Sequence, residues 1–262
     1  MKHNLLHILT LLFASVLLTG CMTEMNDLRP VSSKGSFTLG LSTDSLAVEV
    51  ETRAGRDLTD AEKGIYTVSL VQEDETIWIM PFANIKLEDR TQPTGQGYVV
   101  SAESCTATEA ESANSGWGQR RYWGKSETFD IKANENTDVS VDCSMANAGL
   151  CVDFEESFTS FFTEGYTVTI VDSRNLEFNK NTTGSVAYYN VGSNGTHDVR
   201  LLVNASAGWD GMLKTIDRTL TLRQGHTYCL HIRKGAVETG TMGVTITTED
   251  FVEGESEEVI VE

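Results

Sequence analysis

The sequence predicts an all-β protein folded as two tandem β-sandwiches behind a short N-terminal leader. A few features carry that prediction. From Ser36 onward apolar and polar residues alternate over short spans, with the two-residue period of half-buried strands. Clusters of Gly, Asn and Asp interrupt these spans, and a similar succession of strands recurs after residue 146.

The leader comes first. Lys2 supplies a positive start, and Ile8 to Leu18 is apolar apart from Thr10 and Ser15. That run is too short to cross a bilayer, which takes about 20 apolar residues. Leu18-Thr19-Gly20-Cys21 closes it with small residues and a cysteine, the pattern of a bacterial lipoprotein signal. Residues 1–20 are therefore expected to be removed, Cys21 to carry the lipid, and residues 21–34 to form a tether. Each buried methylene adds about 0.8 kcal/mol, so several acyl chains hold a protein at a membrane almost permanently.

The first sandwich is expected over residues 35–146. Phe37, Leu39 and Leu41 alternate in its opening strand, Leu46, Val48 and Val50 in the next, and Tyr66, Val68 and Leu70 in a third. Ile77-Trp78-Ile79-Met80 is denser and stops at Pro81, which predicts a strand buried on both faces or one that closes an edge. Tyr98 to Val100, Thr128 to Ile131 and Val139 to Cys143 complete the set. Residues 57–63 read as a loop or a single helical turn, and Ala107 to Lys125 as a long irregular stretch.

Ala146-Asn147-Ala148-Gly149 is small and polar enough to serve as a linker to the second sandwich, expected over residues 147–262. Its strands are predicted at 150–154, 166–171, 176–178, 186–189, 199–204, 219–222, 228–233 and 244–247, ahead of an acidic tail. Tyrosines follow glycine turns at Tyr66, Tyr98, Tyr166 and Tyr228, a placement that plugs sandwich ends.

Composition narrows the function. The chain of 262 residues holds 38 acidic and 20 basic residues, and loss of the leader removes only Lys2, leaving 19 basic residues and a net charge of −19. Nucleic acid, which demands a basic footprint, is excluded as a partner. A charge-based grip on anionic lipid is excluded as well, so the lipid on Cys21 must provide the membrane attachment. No Gly-x-Ser-x-Gly, phosphate-cradling glycine loop or metal-binding histidine pair occurs, and nothing calls for a cofactor or metal. The reading is therefore of a protein that is not an enzyme. Cys105, Cys143, Cys151 and Cys229 allow two disulfides in an exported chain, with connectivity open, or buried strand thiols.

Trp117, Arg120, Arg121, Tyr122 and Trp123 form the candidate binding segment, because flat aromatic faces suit sugar rings or partner chains and guanidinium forks add charged contacts. The competing reading has Tyr122 and Trp123 covering a sandwich end while the arginines offset neighbouring acids. Arg53 lies in an exposed, cleavable segment, Val50-Glu51-Thr52-Arg53-Ala54-Gly55-Arg56.

The signal cysteine, Gly35-Ser36-Phe37-Thr38-Leu39, Gly97-Tyr98-Val99-Val100, Tyr122-Trp123-Gly124, Thr128-Phe129-Asp130-Ile131 and Val139-Ser140-Val141-Asp142-Cys143-Ser144-Met145-Ala146-Asn147 occur in that order. In these the chain resembles a family of Bacteroidetes surface lipoproteins that carry domain of unknown function 4493 and are fimbrillin-like. The resemblance implies two transthyretin-like sandwiches on a lipid anchor. It further implies an adhesion or ligand-binding role at the outer membrane, facing the exterior, with a glycan or protein ligand and fimbrial subunits as partners. In fimbrillins a protease cuts after an arginine beyond the first strands, and the vacated groove takes a strand of the next subunit. Thr52-Arg53-Ala54 resembles that site, which implies a polymerising subunit as the alternative reading. A glycan-binding accessory protein of a nutrient-uptake system is a further alternative. Ser45, in Asp44-Ser45-Leu46, resembles the motif these bacteria O-glycosylate, and Glu24 and Asp27 resemble a reduced acidic export cluster.

Overall fold

Alternation builds the opening strand. In the computed structural model, which describes residues 33–43, 56–206, 213–234, 244–250 and 257–260, β1 (Lys34–Thr43) turns Phe37, Leu39 and Leu41 inward and leaves Thr38 and Gly40 exposed. The expected strand at Leu46 to Val50, together with Cys21, Ser45 and Arg53, lies outside the described residues.

The chain continues through β2 (Arg56–Asp57), a single turn α1 (Asp60–Lys63), β3 (Thr67–Gln72), β4 (Glu75–Pro81), β5 (Thr91–Pro93) and β6 (Gly95–Glu103). It then forms α2 (Ala107–Ser112), β7 (Tyr122–Lys125), β8 (Phe129–Ile131) and β9 (Asn136–Met145). These strands order as β2-β1-β9-β7-β6-β3-β4, with β5 also on β1 and β8 on β6. They enclose a core that includes Phe37, Leu41, Val68, Leu70, Tyr98, Val100, Val141 and Cys143.

Sandwich order repeats in the remainder. β10 (Asn147–Phe154), α3 (Glu156–Thr159), β11 (Gly165–Ile170), β12 (Glu177–Phe178), β13 (Val186–Asn190) and β14 (Thr196–Ser206) are followed by β15 (Leu213–Arg223), β16 (Thr227–Lys234), β17 (Val244–Asp250) and β18 (Glu257–Ile260). One sheet runs β13-β10-β16-β17-β18 and the other β12-β11-β14-β15. Between them Leu150, Phe158, Phe178, Tyr189, Leu201 and Leu230 are buried in a second core.

Each half opens with a strand that lies parallel to a later one. β1 pairs with β9 from Ser36↔Asn136 to Thr43↔Cys143, and β10 pairs with β16 from Gly149↔Thr227 to Phe154↔Ile232. Parallel neighbours require long crossovers, so each half is closed by contacts remote in sequence.

Several expectations change. Ala146 to Gly149 is no linker: Asn147, Ala148 and Gly149 already belong to β10 and are buried, because only Ala146 separates the end of β9 from the start of β10. The long stretch from Ala107 is ordered by α2, whose Thr106 and Glu109 form a reciprocal capping box. The four cysteines make one bridge, Cys151–Cys229, across the β10/β16 register. Cys143 packs in the first core as a buried thiol and Cys105 is half-buried, so the two-bridge framework is not formed.

Candidate functional site

The predicted aromatic-basic segment divides between two tasks. Its first part joins the halves. Trp117 meets Phe178 edge-on at 4.9 Å and packs against the second core, while its carbonyl accepts the Tyr188 N–H at 2.7 Å. Gly118 follows at φ +80, and a Cβ there would press within 2.9 Å of the Tyr188 carbonyl, so only glycine lets the chains approach. Arg174 reaches back from the second half, donating from Nη1 to the carbonyls of Gly116 at 3.0 Å and Tyr188 at 2.9 Å. Its guanidinium lies 3.9 Å from the Tyr189 ring centroid.

Asn147 completes the junction. Its Oδ1 accepts the Arg121 N–H at 3.1 Å, and its Nδ2 donates to the Gln119 carbonyl at 2.7 Å. Asn190 donates to the Ala107 carbonyl at 2.8 Å and to Glu111 at 3.1 Å, tying α2 to β13. Arg120 donates to the Tyr188 hydroxyl at 3.0 Å, and Arg121 pairs with Glu103 at 3.2 Å. Trp117, Arg120 and Arg121 are thus engaged within the molecule, and Tyr122 packs on the first core.

Trp123 stands apart with 38% of its surface exposed. It opposes Glu103 of β6, which opposes Thr67 of β3. This row crosses the outer face of the sheet that ends at β4. On the same face Ile79 is 63% exposed and opposes Ser69, while Ile77 is 39% exposed; Ile65, just ahead of β3, is 65% exposed. An open cavity of about 620 Å³ lies here, lined by Ile65, Thr67, Ile79, Glu103, Cys105 and Glu109 among others. Two hydrogen bonds from Thr106, backbone and side chain, hold the exposed Glu109 carboxyl below its ordinary range.

The opposite outer face is different in kind. β1 and β9 present Ser36, Thr38, Ser42, Asn136, Asp138, Ser140 and Asp142, which hydrogen-bond one another as Ser36 to Asn136, Asn136 to Thr38 and Ser42 to Asp142. That is a solvated face. Against it Ile65, Ile77 and Ile79 leave apolar side chains exposed at and beside β4.

From sequence, Ile77 and Ile79 are expected in a strand that closes an edge or is buried on both faces. Among the described residues β4 is the edge, and burial on both sides is corrected: Trp78 and Met80 are half-buried, and the isoleucines point outward. The alternation of Ile77 and Ile79 with Trp78 and Met80 was the available signal. It was ambiguous because both faces are apolar. Among the described residues no group of three or more His, Cys, Asp or Glu side chains could hold a metal ion.

A family model described as domain of unknown function (DUF4493) matches residues 33–262. No curated protein matches the chain. Among solved structures, a fimbrial assembly protein from Parabacteroides distasonis is 12% identical, with 86% of this chain and 100% of that one covered at a TM-score of 0.47. The fimbrial anchor protein Mfa2 from Porphyromonas gingivalis is 10% identical, with 81% and 98% covered at a TM-score of 0.41.

Proposed function

From the premise that this chain belongs to the DUF4493 family, we propose that it is a non-catalytic, lipid-anchored surface protein that holds a protein or glycan partner on the outer face of its first half. Lipid on Cys21 attaches it to the outer membrane with its sandwiches facing the exterior. The observation that carries the binding role is the exposed set of Ile65, Ile77, Ile79 and Trp123 on one sheet face, opposite a face of hydroxyl, amide and carboxylate groups. An apolar patch on an otherwise strongly acidic exported chain is a cost to solubility unless something covers it.

Capture of intact cells tests this reading. Cells displaying the wild-type chain are passed over immobilised glycans and surface proteins, beside cells displaying Ile79→Lys, Trp123→Ala, or Ser140→Lys on the opposite face. Capture of the wild type and of Ser140→Lys, with at least a tenfold loss in the other two, is expected. Equal capture of all four chains would sink the proposal.

A second reading, a subunit that polymerises by strand exchange, has its own support. β1 precedes Arg53, and Phe37, Leu39 and Leu41 belong to the core. A cut after Arg53 would leave this strand held, among the described residues, by β9, β5 and β2 and by packing. Treatment with an arginine-specific protease, mass mapping and a denaturing gel distinguish the outcomes. Cleavage at Arg53 with heat-resistant ladders makes it a fibre subunit, and no ladder excludes that role.

A further inference from the structure

Building on the outer-face reading above, we propose that the open edge of β4 takes an extended, positively charged peptide segment of another protein as an added strand, using the window Ile77 to Met80. β4 ends the strand order, with β3 as its only strand neighbour among the described residues. The Phe82 N–H donates to the Tyr66 carbonyl at 2.8 Å, beside the register Val68↔Met80. Because main-chain groups alternate sides along a strand, Met80 addresses β3 and Ile79 turns its N–H and C=O to the open edge.

Proteins blunt such edges with proline, charge and bulges. β4 carries all three, and each lies at an end of the window. Pro81 closes one end; at the other, exposed Glu75 precedes a register shift between Leu70 and Val71 that leaves Ile77, the first residue of the window, opposite no residue of β3. Between them Ile77-Trp78-Ile79-Met80 carries no charge. A partner strand there would place alternate apolar side chains beside Ile79, which is mostly exposed and is the β4 residue that borders the cavity. Strand addition takes its affinity from main-chain hydrogen bonds and its choice of partner from such side-chain sites.

Charge selects the occupant. Glu73, Asp74 and Glu75 crowd the start of β4, and Glu103 and Glu109 line the cavity. Two of the cations near the cavity are engaged: Arg121 pairs with Glu103, and Lys63 lies 4.0 Å from Asp60 and 6.0 Å from the Phe82 ring centroid; Lys125 stands in the row of Ile79 with two strands between them. A second copy of a chain of net charge −18 would bring like charge to like. A segment alternating valine or isoleucine with lysine or arginine is complementary.

The test uses the full chain and the capped peptide Lys-Val-Thr-Val-Lys-Val-Thr-Val-Lys, followed by amide NMR and calorimetry. Saturable binding with shifts confined to residues near β4 is expected. So is at least a tenfold loss for Ile79→Lys, for a peptide N-methylated at alternate residues, and for a peptide with glutamate in place of lysine. Absence of binding, equal binding of the N-methylated or glutamate peptide, or an unaffected Ile79→Lys variant would overturn it. A wild-type dimer in sedimentation that Ile79→Lys dissolves would also overturn it, by making a second copy the occupant. If the peptide fails while Ile79→Lys still lowers cell capture, the edge pairing is wrong and the outer-face reading stands. If the peptide binds as expected while capture is unchanged, the reverse holds.

Discussion

The two parallel strand pairs are the same device built with different security. In the first half β1 lies beside β9, and Thr43 opposes the buried Cys143 at the end of the register. In the second half β10 lies beside β16, and Cys151 opposes Cys229 in a disulfide with Cα atoms 4.6 Å apart. The opening strand of the second half is covalently stapled, whereas that of the first is retained by packing and hydrogen bonds. If either strand is ever to be released, only the first can be, and it is the one preceding Arg53.

Substitutions test that contrast, beginning with the largest effect. Phe37→Ala removes the largest anchor of β1, a ring 1% exposed and 5.5 Å from that of Phe129. A loss of about 4 kcal/mol is expected, as for other buried phenylalanines. Denaturant unfolding followed at the first core should show it, with the second core little changed.

Removing the staple with Cys151→Ala and Cys229→Ala should cost about 2 to 4 kcal/mol, confined to the second half. Calorimetry on the double variant checks this. A cost shared equally by both halves would mean that the junction at Trp117 and Arg174 makes them unfold as one, and the comparison would lose its meaning.

Thr43→Cys transfers the staple to the first half, since its partner Cys143 already sits opposite. Formation of the bridge should stabilise the first half by about 2 kcal/mol, less than an ideal loop closure because engineered bridges carry strain. After cleavage at Arg53 the N-terminal fragment should stay attached on a non-reducing gel and separate under reduction. Separation without reductant would show that the two pairs are not equivalent.

Alkali acts on both halves alike and gives the smallest effect. Burial pushes the phenol of Tyr66 in the first core, and that of Tyr189 in the second, well above the ordinary range. The folded state therefore keeps its proton where an unfolded tyrosine, with a pKa of about 10, gives it up. The stabilisation is complete below about pH 10 and declines above it, by about 1.4 kcal/mol per tyrosine over the following pH unit. Unfolding midpoints measured from pH 9 to 11 should decline in step at both cores, and Tyr66→Phe should flatten the response of the first alone.

Most strands were legible because alternation is local: Phe37, Leu39 and Leu41, or Val139, Val141 and Cys143, each reveal an inward face within a few residues. The site was legible only in part. The segment at Trp117 to Trp123 does lie at the surface between the halves, but Trp117 is taken up by Phe178 and Tyr188, partners 61 and 71 positions away in a chain read from one end. Ile77 and Ile79 escaped because an apolar strand at an edge and one in the interior have the same letters. Asn147, small and polar, looked like linker, yet its amide satisfies main-chain groups at the junction and is buried.

By itself the sequence determined that this protein is all-β, since a two-residue apolar period can segregate its side chains only by forming sheets, and that its surface is acidic. Which strand stands at an edge, which cysteines meet and which tryptophan remains exposed were decided only by the tertiary structure. Those outcomes depend on what lies beside a residue in space, and in a fold closed by parallel strands the neighbours come from opposite ends of each half.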